Sequence, residues 1–359
     1  MTGSGDEASK GTMVCIAGWD VGAANIKAAM IQLENQAEEV RFVSRPFEIW
    51  RQKDHLTDVL RCLLGLITKG TQPQAMAVTM TAELSDVFVT KREGVLYVLD
   101  SMRACFPSVP IFVFGLSGRF MSVEEARSRP LEFAASNWLA CASWVARQNP
   151  NCLVVDVGST TTDILPIING QVRVSGRTDL DRLSSGELVY TGLLRTNLAA
   201  TIQSVPVAGR FCRVASEYFA IAGDVHLILG HLVPQDYTCT TPDGLPPTID
   251  SARRRIARLV CADAEMLSTS EIDDMARYIC ARQILQIREA LEQVISRFPC
   301  LQSGPLVLLG SGAFLGEAAA AGTGLQMIEG AAYFGEGSAV APSIAAAHLL
   351  ADYLRAEAK

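Results

Sequence analysis

Asp20-Val-Gly22-Ala-Ala-Asn25-Ile-Lys27 is a phrase that the chain uses twice: Asp156-Val-Gly158-Ser159-Thr160-Thr161-Thr162-Asp163 repeats its acid, its glycine two residues on and its polar continuation. Each copy follows a short apolar run, Val14 to Trp19 (VCIAGW) or Cys152 to Val155 (CLVV), and leads into another, Ala28 to Leu33 (AAMIQL) or Asp163 to Ile168 (DILPII). Apolar run, glycine turn, apolar run is the pattern of a tight β-hairpin. One Asp-x-Gly is a weak signal, since ordinary turns produce it often. Two in the same strand-turn-strand setting mark an internal repeat.

Outward from the two hairpins, strands alternate with helices. Ala75–Met80, Val95–Leu99 and Ile111–Phe114 read as further strands, and Asp54 to Thr68 carries Leu56, Val59, Leu60, Leu63, Leu64 and Ile67 at helical spacing. Ser122 with Glu125 has the form of a capping box, and a helix from about Leu131 to Arg147 buries Trp138, Leu139, Ala142 and Val145 before Asn149-Pro150 ends it. After the second hairpin an Asn169-Gly170 turn leads into a strand at Gln171–Ser175. Ser270 to Arg297 reads as a long amphipathic helix ended by Phe298-Pro299, and Leu306 to Leu309 (LVLL) as a buried strand. Thr240 to Thr248 (TTPDGLPPT) is a loop, either a mobile substrate loop or a plain surface excursion. The alternation gives the α/β class. The expected organisation is a disordered tail at residues 1–13, a first domain at 14–148, a second at 149–339, and a C-terminal helix at 340–357 that returns to the first.

A chain of 359 residues has room for two cores, and 49% hydrophobic with 19% charged residues describes a globular protein. A formal net charge of −7 argues against nucleic acid as a partner, because phosphate backbones attract basic surfaces. The basic run Arg253, Arg254, Arg255 and Arg258 reads as a solvated helix face, with a local anion site as the other option. No stretch reaches the roughly 18 uncharged apolar residues of a membrane span; the region Ala339 to Leu350 is interrupted by Pro342 and His348. The start, MTGSGDEASKGTM, lacks the apolar core of a signal peptide, and the ten cysteines show no Cys-x-x-Cys or paired zinc spacing. The expectation is a cytoplasmic protein with reduced thiols and no membrane partner; a homodimer is left open.

The chemistry rests on the glycine turns. A Gly two residues after an Asp permits a turn that residues with a Cβ adopt poorly, and the amides exposed there form a nest for phosphate oxygens. Mg²⁺ keeps most of its waters and is held by one or two carboxylates plus substrate phosphates, which makes Asp20 and Asp156, facing each other across a cleft, the expected metal pair. Gly22, Asn25 and Lys27 in the first turn, and Gly158, Ser159, Thr160 and Thr161 in the second, are the expected phosphate ligands. A third element, Gly310-Ser311-Gly312-Ala-Phe-Leu-Gly316, follows LVLL and opens a helix, as a phosphate- or nucleoside-binding turn would. A dinucleotide reading, with Glu329 on the ribose, departs from the fingerprint spacing. In order and spacing the three elements resemble those of the actin-like ATPase superfamily. That resemblance implies a two-domain, ribonuclease H-like α/β fold with an interdomain cleft.

A narrower resemblance covers most of the chain. VTMTAELSDVF (Val78–Phe88), VVDVGSTTTDILPI (Val154–Ile167), GRTDLDRLSSGELVYTGLLRTN (Gly176–Asn197) and SARRRIARLVCAD (Ser251–Asp263) are similar to stretches of the hydantoinase A/oxoprolinase-like proteins linked to tetrahydromethanopterin-dependent one-carbon transfer, whose archaeal members are methylofuran biosynthesis enzymes. The resemblance implies a Mg²⁺-dependent transferase that binds two small molecules. One is an aminomethyl-furanmethanol diphosphate; the other is a phenolic acceptor, γ-glutamyl-tyramine or a tyrosine-like relative. The products are an aryl ether and diphosphate. An unperturbed phenol has a pKa of about 10, so a general base helps. None of the four histidines lies in these motifs, which leaves carboxylates: Glu83 first, then Asp86 and Glu187. Glu187 also reads as an acid in the first turn of a helix packed on the sheet. Tyr190 is a candidate to stack on an aromatic substrate, and Arg177, Arg182 and Arg195 to bind diphosphate or a glutamyl carboxylate. An ATP-dependent small-molecule kinase of the same fold is the main alternative, with ATP in the three turns, and a non-catalytic regulator is another.

Overall fold

The structure, a computed structural model, describes residues 13–34 and 37–357. Apart from Met13, the tail expected at residues 1–13 lies outside them. The chain forms two compact units, Met1–Trp144 with Pro342–Lys359, and Val145–Ala341.

The first unit is built on a six-stranded sheet. Strands β1 (Val14–Gly22), β2 (Asn25–Glu34) and β3 (Ala37–Pro46) form an antiparallel meander. On the other side of β1, β4 (Ala75–Thr81) and β5 (Ile111–Phe114) run parallel to it, and β6 (Phe120–Ser122) closes the order β3-β2-β1-β4-β5-β6. Strands covered on both faces read as continuous apolar runs, which is why VCIAGW and AMAVTM show no alternation. Side chains alternate between the faces of a strand. Cys15, Ala17, Trp19 and Val21 enter a core with helices Leu56–Thr68 and Lys91–Cys105. Gly18, on the other face, lies against the C-terminal helix Ala341–Glu357, where a Cβ would stand 1.9 Å from the Ser343 carbonyl oxygen.

Val95–Leu99, expected as a strand, is helical. Thr90 caps the helix through the Glu93 amide, and Val95, Val98, Leu99 and Met102 are buried at helical spacing, a period that a five-residue window does not show. The expected helix from Leu131 is two pieces, a 3₁₀ turn at Pro130–Phe133 and a helix at Asn137–Gln148. Ala135 between them takes a left-handed φ of 48°, and the buried Ser136 hydroxyl donates to the Phe114 carbonyl at 2.8 Å.

The second unit repeats the plan. Strands β7 (Cys152–Val157) and β8 (Thr162–Ile168) form the hairpin, β9 (Gln171–Val172) and β10 (Leu188–Val189) flank β8, and after the small hairpin of β11 (Ser204–Val207) and β12 (Arg210–Arg213), β13 (Pro305–Leu309) and β14 (Gln326–Glu329) run parallel to β7. In each sheet the hairpin's first strand thus has an antiparallel partner on one side and a parallel partner on the other. The expected strand at Gln171–Ser175 pairs over only two residues. The helix Thr269–Arg297 covers this core with Ile272, Met275, Ile279, Ile287, Leu291 and Val294. Each such buried side chain contributes about 1.5–3 kcal/mol relative to exposure.

The basic run is not a uniformly solvated face. Arg255 is fully buried on helix Ile249–Arg258, with Nη2 2.6 Å from Asp224 Oδ1 and Nη1 3.0 Å from Asp243 Oδ1. Arg253 pairs with Asp273, and Arg258 also reaches Asp243. These partners give the charges local countercharge, and they tie the segment Thr240–Thr248 to the helix through Asp243. Thr241 and Leu245 hydrogen-bond within that segment.

Candidate functional site

Each unit carries one Asp-x-Gly turn, and the two are anchored in the same way. In the first, a Cβ on Gly22 would stand 2.7 Å from the Asn25 carbonyl oxygen, so the tight turn requires glycine. The carbonyls of Ala24 and Ala23 accept from the amides of Phe47 and Ile49, at 2.9 and 3.0 Å. A trans peptide unit points its N–H opposite its C=O, so the amides of Ala24 and Asn25 face away from that anchor. Asp20 sits directly across the hairpin from Lys27 and beside Thr79 of β4. Its Oδ2 is 3.7 Å from Lys27 Nζ, its Oδ1 is 3.4 Å from the Thr79 hydroxyl, and Asn137 hydrogen-bonds it. The residue is 3% exposed. Burial pushes its carboxyl above the usual carboxylate value, opposed by Lys27, Thr79 and Asn137. The expected metal ligand is therefore enclosed by protein partners.

In the second unit three segments meet. The Gly158 amide donates to the Thr161 carbonyl at 2.9 Å, closing the turn. The Gly158 carbonyl accepts from Leu193, and the Ser159 carbonyl from Leu194 and Arg195, at 2.9, 3.0 and 2.9 Å. By the same peptide geometry the amides of Ser159 and Thr160 face away from the Leu193–Arg195 segment, on half-exposed residues. Gly192 lies so close that a Cβ would stand 2.6 Å from the Gly158 oxygen and 2.7 Å from Thr160 N. The third segment is Gly310-Ser311-Gly312, which leads into helix Ala313–Ala320. The Gly312 amide donates to the Val157 carbonyl at 2.9 Å, and Gly310, with a φ of 82°, approaches so closely that a Cβ would stand 2.5 Å from Asp156 Oδ1. Asp156 pairs across the hairpin with Asp163, the position that Lys27 holds in the first unit, and Asp163 forms an ion pair with Arg182. Turn, loop and glycine-rich segment form one cradle around Asp156.

The remaining candidates divide. Glu83 is 2% exposed just beyond β4 and packs on Gly94, whose Cβ would stand 2.5 Å from the Glu83 Cα. Asp86 is exposed in the turn that follows. Glu187 and Arg182, expected at the substrate, are buried structural groups. Both Glu187 carboxylate oxygens accept from the Ser175 amide at 2.8 and 3.0 Å, and Arg297 pairs with Oε1 at 2.9 Å. Arg182 is 1% exposed and holds Asp163 and the Glu187 carbonyl. Glu187 is not in a helix: it follows helix Asp179–Ser185, beyond Gly186, and directly precedes β10. Arg177 and Tyr190 are exposed, and Arg195 is half-buried with its amide on Ser159.

Two residues that the motifs do not reveal complete the picture. Asn137 holds Asp20, and Gln283 on helix Thr269–Arg297 donates to Thr191 Oγ1 and the Gly192 carbonyl, at 2.9 and 2.8 Å, bracing the loop behind the second turn. The sequence does carry a signal for Gln283: it is a polar residue at a core position, between Ile279 and Ile287.

The repeated hairpin-plus-parallel-strand sheet and the three glycine turns define the class as the actin-like ATPase fold. The family profile for hydantoinase/oxoprolinase matches residues 74–353, and the chain belongs to that family. It is 37% identical over 286 residues to the (4-{4-[2-(gamma-L-glutamylamino)ethyl]phenoxymethyl}furan-2-yl)methanamine synthase of Methanocaldococcus jannaschii, an alignment that covers 79% of this chain and 83% of the relative. A synthase of the same name from Methanococcus vannielii is 43% identical over 126 residues, 35% of this chain and 56% of that one. Among solved structures, the nucleotide-free acetone carboxylase is similar with a TM-score of 0.54 at 10% identity, covering 94% of this chain and 70% of that one. The last likeness is one of fold alone. Relatives named as synthases identify the chain as an enzyme of the family. Among the described residues no helix is long and apolar enough to cross a membrane.

Proposed function

We propose that the chain is a transferase of methylofuran biosynthesis that joins an aminomethyl-furanmethanol diphosphate to the phenol of a γ-glutamyl-tyramine, or a tyrosine-like relative. The name of the two synthases describes the product of such a step, a phenoxymethyl link between a glutamylaminoethyl-bearing ring and a furan carrying an aminomethyl group. The phenol oxygen attacks the furan's methylene carbon, the carbon–oxygen bond to diphosphate breaks, the diphosphate leaves with the electron pair, and the phenol proton goes to a base.

The observation that carries this reading is the cradle of the second unit, in which Gly158–Thr161, Gly192–Arg195 and Gly310–Gly312 close on one another around Asp156. The outward amides of Ser159 and Thr160 and the hydroxyls of Ser159, Thr160 and Thr161 suit a diphosphate, whose charge such fixed donors stabilise as it departs. The residues fit Mg²⁺: Asp156 is a hard oxygen donor, and the absent side chain of Gly310 keeps its carboxylate at the glycine-rich turn. When bound, Mg²⁺ neutralises charge on the leaving group. Within the first unit, Lys27, 3.7 Å from Asp20, is the proposed cation of its own turn. Glu83, just beyond β4, is the proposed base, with Asp86 beside it as the second choice; Glu187, held by Ser175 and Arg297, is the less favoured carboxylate.

The test is diphosphate release by the purified full chain with Mg²⁺, the furan diphosphate and the phenolic acceptor, beside an ATP-only control and Asp156→Ala. Acceptor-dependent release without ATP, lost in the variant, is the expected result. ATP consumption in its place would return the chain to the kinases of its fold.

A further inference from the structure

The second unit also holds a group of metal-binding side chains that the proposed reaction does not use. His226 is buried on helix Ala222–Ile228, His231 follows in the exposed turn beyond it, and Cys280 is buried on helix Thr269–Arg297. One ligand atom from each lies within 4.8 Å of the others. The two Nδ1 atoms are 3.3 Å apart. With Zn–N bonds near 2.0–2.1 Å, a tetrahedral angle separates two nitrogen ligands by about 3.3–3.4 Å, so this edge has the length that a shared ion imposes.

The lone pair faces the right way. Gln283 Nε2 has two hydrogens, and both are engaged, with Thr191 Oγ1 and with the Gly192 carbonyl. Its Oε1 is therefore the atom 2.9 Å from His226 Nε2, and it is an acceptor, which places the imidazole proton on Nε2. His226 Nδ1 is left as a lone pair turned toward His231. A ring N–H given to an oxygen acceptor is how a metal-bound histidine is oriented. Phe314 contacts both imidazoles, at centroid distances of 5.4 and 4.7 Å.

We propose that His226, His231 and Cys280 bind a zinc-class divalent ion through two imidazole nitrogens and one thiolate, with a fourth position open on the side of exposed His231. The donor set selects the ion: nitrogen and sulfur suit Zn²⁺ and its neighbours, and Mg²⁺ and Ca²⁺ demand oxygen. On binding, the Cys280 thiol gives its proton to solvent, so one proton is released per ion. Because Gln283 spans His226 and the Thr191–Gly192 segment behind the second turn, the ion braces that loop from the rear. The site stands independently of the proposed transferase reaction.

The experiment uses the full chain, stripped with a chelator and titrated with Co²⁺ as a spectroscopic stand-in, with Zn²⁺ as competitor. The expected results are one ion per chain and a thiolate-to-cobalt charge-transfer absorption that Zn²⁺ abolishes. That absorption is lost in Cys280→Ser, a change of one atom, checked for an unaltered thermal melt. Gln283→Leu, outside the coordination sphere, is expected to weaken Zn²⁺ binding roughly 10–100-fold. Absence of saturable binding to the wild-type chain, or an undiminished absorption in Cys280→Ser, would overturn the proposal and leave the two histidines as a plain hydrogen-bonded pair.

Discussion

Replacing Gly192 by alanine asks whether the second turn depends on the close approach of the loop behind it. The new Cβ would stand 2.6 Å from the Gly158 oxygen and 2.7 Å from both Thr160 C and Thr160 N, where ordinary contact begins at 3.4 Å. All three are backbone atoms. Loop and turn must therefore separate by about 0.8 Å (3.4 − 2.6), because no side chain can rotate out of the way. Gly192 has no left-handed φ, so the clash is the whole effect. Overpacking of this kind costs about 1–3 kcal/mol. A catalytic group displaced by about 1 Å loses on the order of 100-fold in rate, and the shift of about 0.8 Å should reduce kcat/KM for diphosphate release roughly 10–100-fold. The measurements are steady-state release and a thermal melt, with Gly65→Ala as the control. Gly65 is on helix Leu56–Thr68 with nothing within 4 Å of the place a Cβ would occupy, and alanine there should add about 0.8–1 kcal/mol of stability and leave activity unchanged. Wild-type melting and activity in Gly192→Ala would refute the close-approach argument. An activity loss that only tracks the unfolded fraction would make the loop a scaffold with no part in placing the turn.

Two further predictions concern buried charge. The Asp20 carboxyl is raised in the folded state above its ordinary 3.8, so its favourable contribution is present below that value and is lost as pH rises through the folded one. Asp20→Asn should then melt no lower than wild type at pH 7, lose that advantage as the pH falls through the raised folded value toward 3.8, and have reduced activity throughout; a variant that is less stable at pH 7 than wild type, and relatively better in acid, contradicts the burial argument. Arg255→Met removes one partner of a fully buried pair and leaves Asp224 in the core, and should cost about 3–5 kcal/mol in denaturant unfolding, whereas Arg255→Met with Asp224→Leu should recover part of it. A cost below about 1 kcal/mol for the single change would show that the pair is not desolvated in solution.

The elements legible in the sequence are those whose signal is local. The two Asp-x-Gly hairpins can be read because a glycine turn between apolar runs is specified within a short stretch of chain. The Ser122–Glu125 capping box and the helix beginning near Ser270 are likewise written in their own residues, and the structure shows the box and places the helix at Thr269–Arg297. Val95–Leu99 reads as a strand and folds as a helix because so short an apolar run fits either period until its neighbours Thr90 and Met102 are counted. What no local pattern contains is the employment of the charged and polar residues. Glu187 meets Arg297, Arg255 meets Asp224, and Gln283 meets Thr191 only after the chain has folded back on itself. A carboxylate in a conspicuous motif looks alike in sequence whether it faces substrate or a buried guanidinium. Its cost in the interior, and hence its role, depends on partners that lie far along the chain. The sequence by itself thus determined the repeated hairpins and the position of the glycine turns, because these follow from backbone freedom and short-range periodicity, and its longer motifs carried the resemblance to the family. The tertiary structure alone decided that Glu187, Arg182 and Arg255 are internal ties and that the loop at Gly192 closes on the second turn, because desolvation and close packing are properties of assembled surfaces.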